Sequence, residues 1–318
     1  MKVLIPDKVN KQATEILEKA GLPVANKPGI SVDDLIKIVP EYDAIIVRSG
    51  IQITKEVIAA AKNLKVIGRA GVGVDNIDLE AAKEKGIAVM NTPLGNVNAA
   101  AEHTLTLLMM LAKHIIHSHI ELKKGIWDRK KYQGIELRNR TLGIIGLGHV
   151  GKKVAKVAKA LEMKVICFDP YIDKKKMDEI GVEKKELNEV IKEADFITIH
   201  VPKTKETTSL INKEKIAMMK NGVRILNVAR GGIINEKDLC EAIKSGKVAA
   251  AAIDVWEQEP PTCRELIALE QVISTPHLGA STIEAQENVA ADIAYQIADA
   301  LKNKKLVNVV NGVDYLKE

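Results

Sequence analysis

The residues best suited to chemistry lie in the second half of this 318-residue chain. Thr141-Leu142-Gly143-Ile144-Ile145 is an apolar run of strand type. It leads directly into Gly146-Leu147-Gly148-His149-Val150-Gly151 and then into a stretch of helical period from Lys152 to Leu161. In a strand, turn and helix of this kind Gly146 permits the tight turn, Gly148 lets the backbone approach a pyrophosphate, and Gly151 lets the helix pack on the sheet. The helix N-terminus, which includes His149 and Val150, offers free N–H groups to an anion. The next apolar run, Val165-Ile166-Cys167-Phe168, ends in Asp169, 18 residues after Gly151, where a dinucleotide site places the acid for the ribose hydroxyls. A carboxylate there repels a 2′-phosphate, so the pattern predicts NAD over NADP. The nearby Lys174, Lys175 and Lys176 make that preference less than absolute.

A nicotinamide acting on a 2-oxo or 2-hydroxy acid asks two things of the protein: a cation for the carboxylate, and an acid that protonates the carbonyl oxygen. Arg230 follows the apolar run Arg224-Ile225-Leu226-Asn227-Val228 and precedes Gly231-Gly232, and its planar fork suits a carboxylate. Taken singly, an arginine is more often a surface ion-pair partner. His277, in Ser274-Thr275-Pro276-His277-Leu278-Gly279-Ala280, exchanges a proton near neutrality. Glu259, in Trp256-Glu257-Gln258-Glu259-Pro260-Pro261, is a candidate to raise the affinity of that ring for protons and to fix its orientation, though sequence spacing does not establish the contact.

Short Val- and Ile-rich runs alternate with amphipathic helical stretches along the chain, which predicts an α/β fold with parallel sheets. Strands are expected at 2–5, 43–47, 65–69 and 87–90, separated by helices near 9–19, 31–38, 54–61 and 78–85 with Ser31, Thr54 and Asp78 as caps. A single helix over 98–119, striped by Leu105, Leu108, Leu111, Ala112 and Ile115, connects to a second series of strands at 141–145, 164–168, 195–199, 223–227, 248–253 and 271–273. The last helix, 282–303, and an apolar tail at 306–310 have no core of their own to join. The expected arrangement is therefore two Rossmann-like or flavodoxin-like domains and a cleft. One is a discontinuous substrate domain, 1–97 plus 284–318, and the other an inserted nucleotide-binding domain, 98–283. Val66-Ile67-Gly68-Arg69-Ala70-Gly71 faintly echoes Leu226-Asn227-Val228-Ala229-Arg230-Gly231, each carrying an arginine out of a strand end.

Composition excludes several classes. At 46% hydrophobic and 28% charged, with no apolar run near the roughly 18 residues of a membrane span, a soluble protein without a membrane role is expected. The opening Met1-Lys2-Val3-Leu4-Ile5-Pro6-Asp7 meets Pro and Asp too early for a signal peptide, which points to the cytoplasm. Three scattered cysteines, Cys167, Cys240 and Cys263, form no Cys-x-x-Cys pair, so neither a disulfide framework nor a metal site is expected. The net charge of +5 is spread along the chain with only 3% aromatic residues, which suits an anionic small molecule better than nucleic acid.

Three segments, Asn227-Val228-Ala229-Arg230-Gly231-Gly232, Asp254-Val255-Trp256-Glu257-Gln258-Glu259-Pro260 and Pro276-His277-Leu278-Gly279, together resemble the signatures of the D-2-hydroxyacid dehydrogenases. The resemblance extends from about Ala44 to Ala285. It implies that Arg230 binds the substrate carboxylate and that His277 is the acid/base assisted by Glu259. It also implies that Asp254 lies near the nicotinamide amide, and that His200, Val201, Pro202 and Thr204, with Val228, Ala229, Gly279 and Ala280, line the cofactor. Gly68-Arg69-Ala70-Gly71-Val72-Gly73-Val74-Asp75-Asn76 and Met90-Asn91-Thr92-Pro93 look specifically like members of that family that act on 3-phospho-D-glycerate. The implied reaction is its NAD-dependent oxidation to 3-phosphohydroxypyruvate, the first step of phosphorylated L-serine biosynthesis. Arg48, Arg69, Gly71, Val72 and Asn96 would then contact substrate, and Arg129 would reach in from a neighbouring subunit.

The same resemblance implies a homodimer paired through the nucleotide domain, with the 98–119 stripe facing the partner. Longer family members carry C-terminal regulatory domains; this chain stops at Glu318, so inhibition by serine through such a module is not expected. Two alternatives stay open at this level: a glyoxylate or hydroxypyruvate reductase using the same triad without a phosphate, and an NAD-sensing corepressor-like binding protein with no catalysis.

Overall fold

The computed structural model describes residues 1–314, which divide into two compact units. The first comprises Met1–Val97 and the segment from Ser281 onward. Its five strands, β1 (Val3–Ile5), β2 (Val24–Asn26), β3 (Ala44–Val47), β4 (Val66–Arg69) and β5 (Ala88–Met90), form one parallel sheet in the order β2-β1-β3-β4-β5. That is the flavodoxin-like order, whose switch point lies between β1 and β3. Four helices alternate with these strands: α1 (Gln12–Lys19), α2 (Val32–Ile38), α3 (Lys55–Ala60) and α4 (Leu79–Lys85). Ser31, Thr54 and Asp78 do cap their helices, accepting from the backbone N–H of Asp34, Val57 and Ala81.

The chain continues as α5 (Val97–Lys113), α6 (Ile115–Lys123), β6 (Thr141–Ile145), α7 (His149–Ala160), β7 (Lys164–Phe168), α8 (Lys174–Glu179), β8 (Glu183–Lys184), α9 (Leu187–Glu193) and β9 (Phe196–Ile199). There follow α10 (Lys213–Met218), β10 (Val223–Asn227), α11 (Glu236–Lys244), β11 (Val248–Ile253), α12 (Arg264–Ala268), β12 (Val272–Ser274) and α13 (Ile283–Asn303). Asn98–Ala280 make the second unit, a seven-stranded parallel sheet ordered β12-β11-β10-β9-β6-β7-β8. Read from β8, this is the doubly wound Rossmann order with one strand added at the end, and it reverses at β6/β9. Alternate strand residues feed two cores. Ile145, Ile197, Ile199, Ile225 and Ile253 face one layer of helices; Leu142, Ile144, Phe196, Leu226 and Ala252 face the other. Burial on both faces is why these strands read as nearly unbroken apolar runs.

In the first unit α13 packs against α1 and β4, where a side chain at Gly68 would press on Ile293 and Ile297. Beyond it, Val309 bridges Met90 in antiparallel fashion, and Asn311 bonds the backbone of Val89 and Ile87.

Two local expectations are corrected, and two short strands are added. The helix over 98–119 is broken: His114 adopts φ 52°, and α5 and α6 are separate. The carbonyl of Ala112, which an unbroken helix would give to residue 116, instead accepts the N–H of Ile135 at 2.9 Å from the returning chain. Most of the apolar stripe is core: Leu105, Leu108, Leu111 and Ala112 are buried against Leu142, Ile144 and Phe196 of their own unit, and of the five residues Ile115 alone is exposed, on α6 beyond the break. Two short edge strands, β2 and β8, went unforeseen because neither carries an apolar run.

Candidate active site

The glycine turn, Asp169, His200, Arg230, Asp254 and His277 all leave the carboxyl ends of strands of the second unit, the edge where open α/β sheets bind ligands. Gly146 has φ +95°, and a Cβ there would meet the His200 carbonyl at 2.8 Å and Val201 Cγ1 at 2.7 Å. Gly151 lies under the Gly146 carbonyl so closely that any side chain would displace it. Gly148, by contrast, has open space where its Cβ would stand, and as the N-cap of α7 it leaves the first-turn N–H groups without a side-chain cap. Tight packing beneath and an open, uncapped helix start above fit a phosphate-bearing cofactor.

Asp169 is buried, its two oxygens accepting the N–H of Leu147 at 2.7 Å and of Tyr171 at 2.9 Å. It therefore fastens the glycine turn while retaining lone pairs for a ribose. His200 lies beside Thr198, 3.0 Å from Nε2 to Oγ1, and burial pushes its pKa down to about 4, which keeps the ring neutral. Pro202 and Thr204 continue into a turn closed by Thr207, whose hydroxyl donates to the Pro202 carbonyl.

His277 Nδ1 lies 2.9 Å from Glu259 Oε2 and 3.1 Å from Oε1. A carboxylate only accepts, so Nδ1 carries the proton of this bond, and Nε2 is the ring nitrogen left to exchange one with a ligand. Both side chains are nearly half exposed. His277 itself takes the left-handed φ of 55°, and its N–H donates to the Asp254 carbonyl at 2.8 Å. The Glu259 carboxylate also accepts from the Trp256 N–H, and the Trp256 indole donates to the Thr275 carbonyl at 3.2 Å, joining the two loops.

Arg230 sits in a loop braced by Asn227, whose amide donates to the Arg230 carbonyl at 2.8 Å and whose carbonyl oxygen accepts the Ala229 N–H at 3.1 Å. The guanidinium donates to the Ala229 carbonyl. Gly231 passes directly under the Trp256 carbonyl, leaving no room for a Cβ, so the loop of Arg230 and the loop of Glu259 are in contact. Val228 Cγ1 approaches Gly279 closely enough that a Cβ on that glycine would lie 2.9 Å away.

Asp254 is fully buried at the centre of this edge. Its Oδ1 accepts from Thr275 Oγ1 (2.6 Å) and the Leu278 N–H (2.7 Å), and its Oδ2 from the Gly279 N–H (2.9 Å). His103 Nε2 stands 3.2 Å from Oδ1. Burial alone would raise its pKa, but the bonds from His103, Thr275 and the two backbone donors outweigh it and hold the carboxyl below the usual range.

In the first unit Arg48 follows β3 and Arg69 ends β4, neighbouring strands paired in register. Asp7 accepts the N–H groups of Arg48 and Gly50, and Asn76 holds the Arg48 carbonyl. Arg48 is half-buried, with burial lowering its pKa against the raising effect of Asp7, and its Nε finds no hydrogen-bond partner among the described residues. The Arg69 guanidinium donates to the Ala70 carbonyl and lies over Gly71, whose φ of +147° disfavours any side chain and whose missing Cβ leaves the guanidinium its place. Thr92 and Asn91 hold Gly71 and Val72 from the end of β5. Asn96 lies in the turn before α5, and Arg129 is exposed in a turn beyond Trp127. Sequence reasoning missed Asn227, Thr275, Trp256 and His103. Asn227 stood inside a recognised segment, whereas His103 had no local signal.

The doubly wound sheet, with a glycine cradle at its switch point and a His–Glu pair further along the same carboxyl edge, defines a nucleotide-dependent α/β protein. Residues 105–279 match the model of the D-isomer specific 2-hydroxyacid dehydrogenase, NAD binding domain, and the chain belongs to that family. A D-3-phosphoglycerate dehydrogenase of Archaeoglobus fulgidus is 50% identical over 98% of this chain and 59% of its own length; the chain thus spans about three-fifths of that curated relative. Among solved structures, a glyoxylate reductase from Paecilomyes thermophila superposes with a TM-score of 0.90 at 28% identity, over 98% of each chain. A D-lactate dehydrogenase from Aquifex aeolicus, complexed with NAD and lactic acid, gives 0.88 at 29% identity over 98% of this chain and 99% of that one. The cofactor of the second unit is NAD.

Proposed function

We propose that the chain is a dehydrogenase that oxidises 3-phospho-D-glycerate to 3-phosphohydroxypyruvate. The observation that carries this assignment is the His277–Glu259 pair at 2.9 Å on the sheet edge that also bears Arg230 and the glycine cradle. Gly146, Gly148, His149, Val150 and Gly151 would hold the pyrophosphate, Asp169 the ribose, and His200, Val201, Pro202, Thr204, Val228, Ala229, Asp254, Gly279 and Ala280 the remainder of the cofactor. NAD bound there would supply the acceptor for the hydride that leaves C2 of the hydroxy acid. Arg230 holds the substrate carboxylate in a charge-assisted fork, and His277 Nε2 takes the C2 hydroxyl proton as the C2–H bond breaks. Glu259 keeps the ring in the Nδ1–H form and stabilises the imidazolium that results.

The phosphate assignment rests on Arg48, Arg69, Gly71, Val72 and Asn96 of the first unit, with Arg129 supplied by a second copy. Arg48 favours it: a half-buried guanidinium with an unpartnered Nε is suited to a dianion. In this proposal residues 1–97 and 284–318 bind substrate and 98–283 bind NAD.

A homodimer accompanies it. Ile115, Ile120, Leu122, Ile126 and Trp127 are exposed on α6 and the segment after it, Trp127 at 76%, an apolar face that a second copy would cover. Among the described residues no helix is long and apolar enough to cross a membrane. A cytoplasmic location is proposed, with neither nucleic acid nor membrane as partner.

The test compares kcat/KM for phosphohydroxypyruvate, hydroxypyruvate and glyoxylate with NADH, in the wild type and in Arg48→Leu/Arg69→Leu. The expected result is a preference for the phosphorylated substrate that the double variant loses by at least about 100-fold, two charge-assisted contacts being worth roughly 1.5–3 kcal/mol each. A preference that survives both substitutions refutes the phosphate site and leaves the non-phosphorylated acids as substrates.

A further inference from the structure

We propose that His103 is a positioning residue for His277, acting through Asp254 to hold the 275–279 loop. The assignment rests on the dehydrogenase function proposed above.

The loop that carries His277 is not stable by its own local preferences. A non-glycine residue at φ 55° costs roughly 1–2 kcal/mol, and His277 lies nearly half exposed, with little packing of its side chain to repay it. What holds the loop is Asp254: its carbonyl takes the His277 N–H, and its carboxylate takes those of Leu278 and Gly279. The carboxylate is fully buried, and a buried charge keeps its place only while its donors are present. Three of its donors, the Thr275 hydroxyl and the two N–H groups, belong to the loop being held and would move with it.

His103 is different, because it projects from α5. That helix is fixed by Leu105, Leu107, Leu108 and Leu111, all buried against the sheet. Its Nε2 stands 3.2 Å from Asp254 Oδ1 and 3.3 Å from Thr275 Oγ1. The threonine hydroxyl donates to Asp254, so its oxygen is an acceptor toward His103, and one Nε2–H shared between the two oxygens satisfies both distances. The imidazole thereby ties the buried carboxylate, and through it the backbone of 277–279, to a rigid element rather than to another loop. His103 meets Asp254 and Thr275 rather than the reacting pair of His277 and Glu259, so it positions and does not itself react.

The experiment compares His103→Leu, which removes the donor, with His103→Gln, which places an amide N–H at similar reach. Two readouts are taken on the full chain. The first is hydrogen exchange at the Leu278 and Gly279 amides, which needs no substrate. His103→Leu is expected to speed exchange there at least tenfold relative to amides of β6, and His103→Gln to restore most of the protection. The second is steady-state reduction of the preferred 2-oxo acid with NADH. His103→Leu is expected to lower kcat about 10- to 100-fold with KM for the acid within about threefold, and His103→Gln to recover kcat, as displacement of a reacting group by a fraction of an ångström would require.

Unchanged exchange in His103→Leu overturns the inference, as does a Gln variant no better than Leu when both unfold at the same temperature. Should His103→Leu fail to fold, His103→Gln against Thr275→Val decides: the first must keep loop protection and the second lose it, and the reverse order overturns the proposal. A wild type inert toward every 2-oxo acid refutes the dehydrogenase assignment, while the exchange experiment still decides the role of His103.

Discussion

Substituting Gly231 by alanine separates steric from electrostatic explanations of the site. Gly231 does not have positive φ, so alanine carries no backbone penalty there; the whole effect comes from a methyl group facing the Trp256 carbonyl and the Glu257 nitrogen. A carbonyl oxygen cannot rotate out of the way as a flexible side chain would. To reach ordinary van der Waals separation the two strand-end loops must part by roughly 1 Å or more. Overpacking of this kind costs about 1–3 kcal/mol, which for the unit of Asn98–Ala280 lowers Tm by roughly 2–12 °C. The kinetic effect is expected to be larger. One loop carries Arg230 and the other Glu259, and a displacement near 1 Å costs on the order of 100-fold in rate. Measured by steady-state reduction of phosphohydroxypyruvate, kcat/KM should fall by about that factor, while NADH affinity by fluorescence titration changes less than about fivefold, the glycine cradle lying at other strand ends. Wild-type kcat/KM in a folded Gly231→Ala would refute the claim that contact between these loops sets the catalytic geometry.

Other substitutions separate the remaining roles. His277→Ala should reduce kcat by roughly 10²- to 10⁴-fold with NADH affinity nearly intact, whereas Arg230→Ala should damage both KM for the acid and kcat, as initial-rate kinetics would show. Asp169→Ala should narrow the NAD/NADP ratio of kcat/KM; because Asp169 also fastens Leu147, affinity for both cofactors should drop, and it is the ratio that reports on the ribose. His200 has its folded pKa depressed from 6.5 to about 4, so between these values the unfolded chain binds the extra proton. Its contribution is complete above pH 6.5 and is lost as pH falls toward 4, amounting to at most roughly 3 kcal/mol. Urea midpoints should therefore decline less for His200→Gln than for the wild type between pH 7 and 4.5, and parallel declines would count against a buried neutral ring.

Features set by neighbours along the chain were legible from residue order. The caps Ser31, Thr54 and Asp78, the run from β6 through Gly146 to α7, and the acid closing β7 all rest on interactions within a few residues or on one strand, turn and helix unit. The apolar runs also declared the α/β class, because strands covered on both faces have no polar side to show. The chemical identities of Arg230, Glu259 and His277 were visible in the same way, as residue types at strand ends.

What residue order left open was every relation fixed by distant chain segments. The helix break at His114 has no Pro or Gly to announce it; a carbonyl at Ala112 captured by Ile135 decides it. The stripe of α5 reads equally as a dimer face or as a core face, and only packing against β6 assigns it to the core. Glu259 lies 18 residues from His277 and His103 lies 151 residues from Asp254, yet each pair meets at the sheet edge. Parallel strand order brings such loops together, and periodicity, which reports only on the local surface a segment buries, carries no record of which strand will lie beside which.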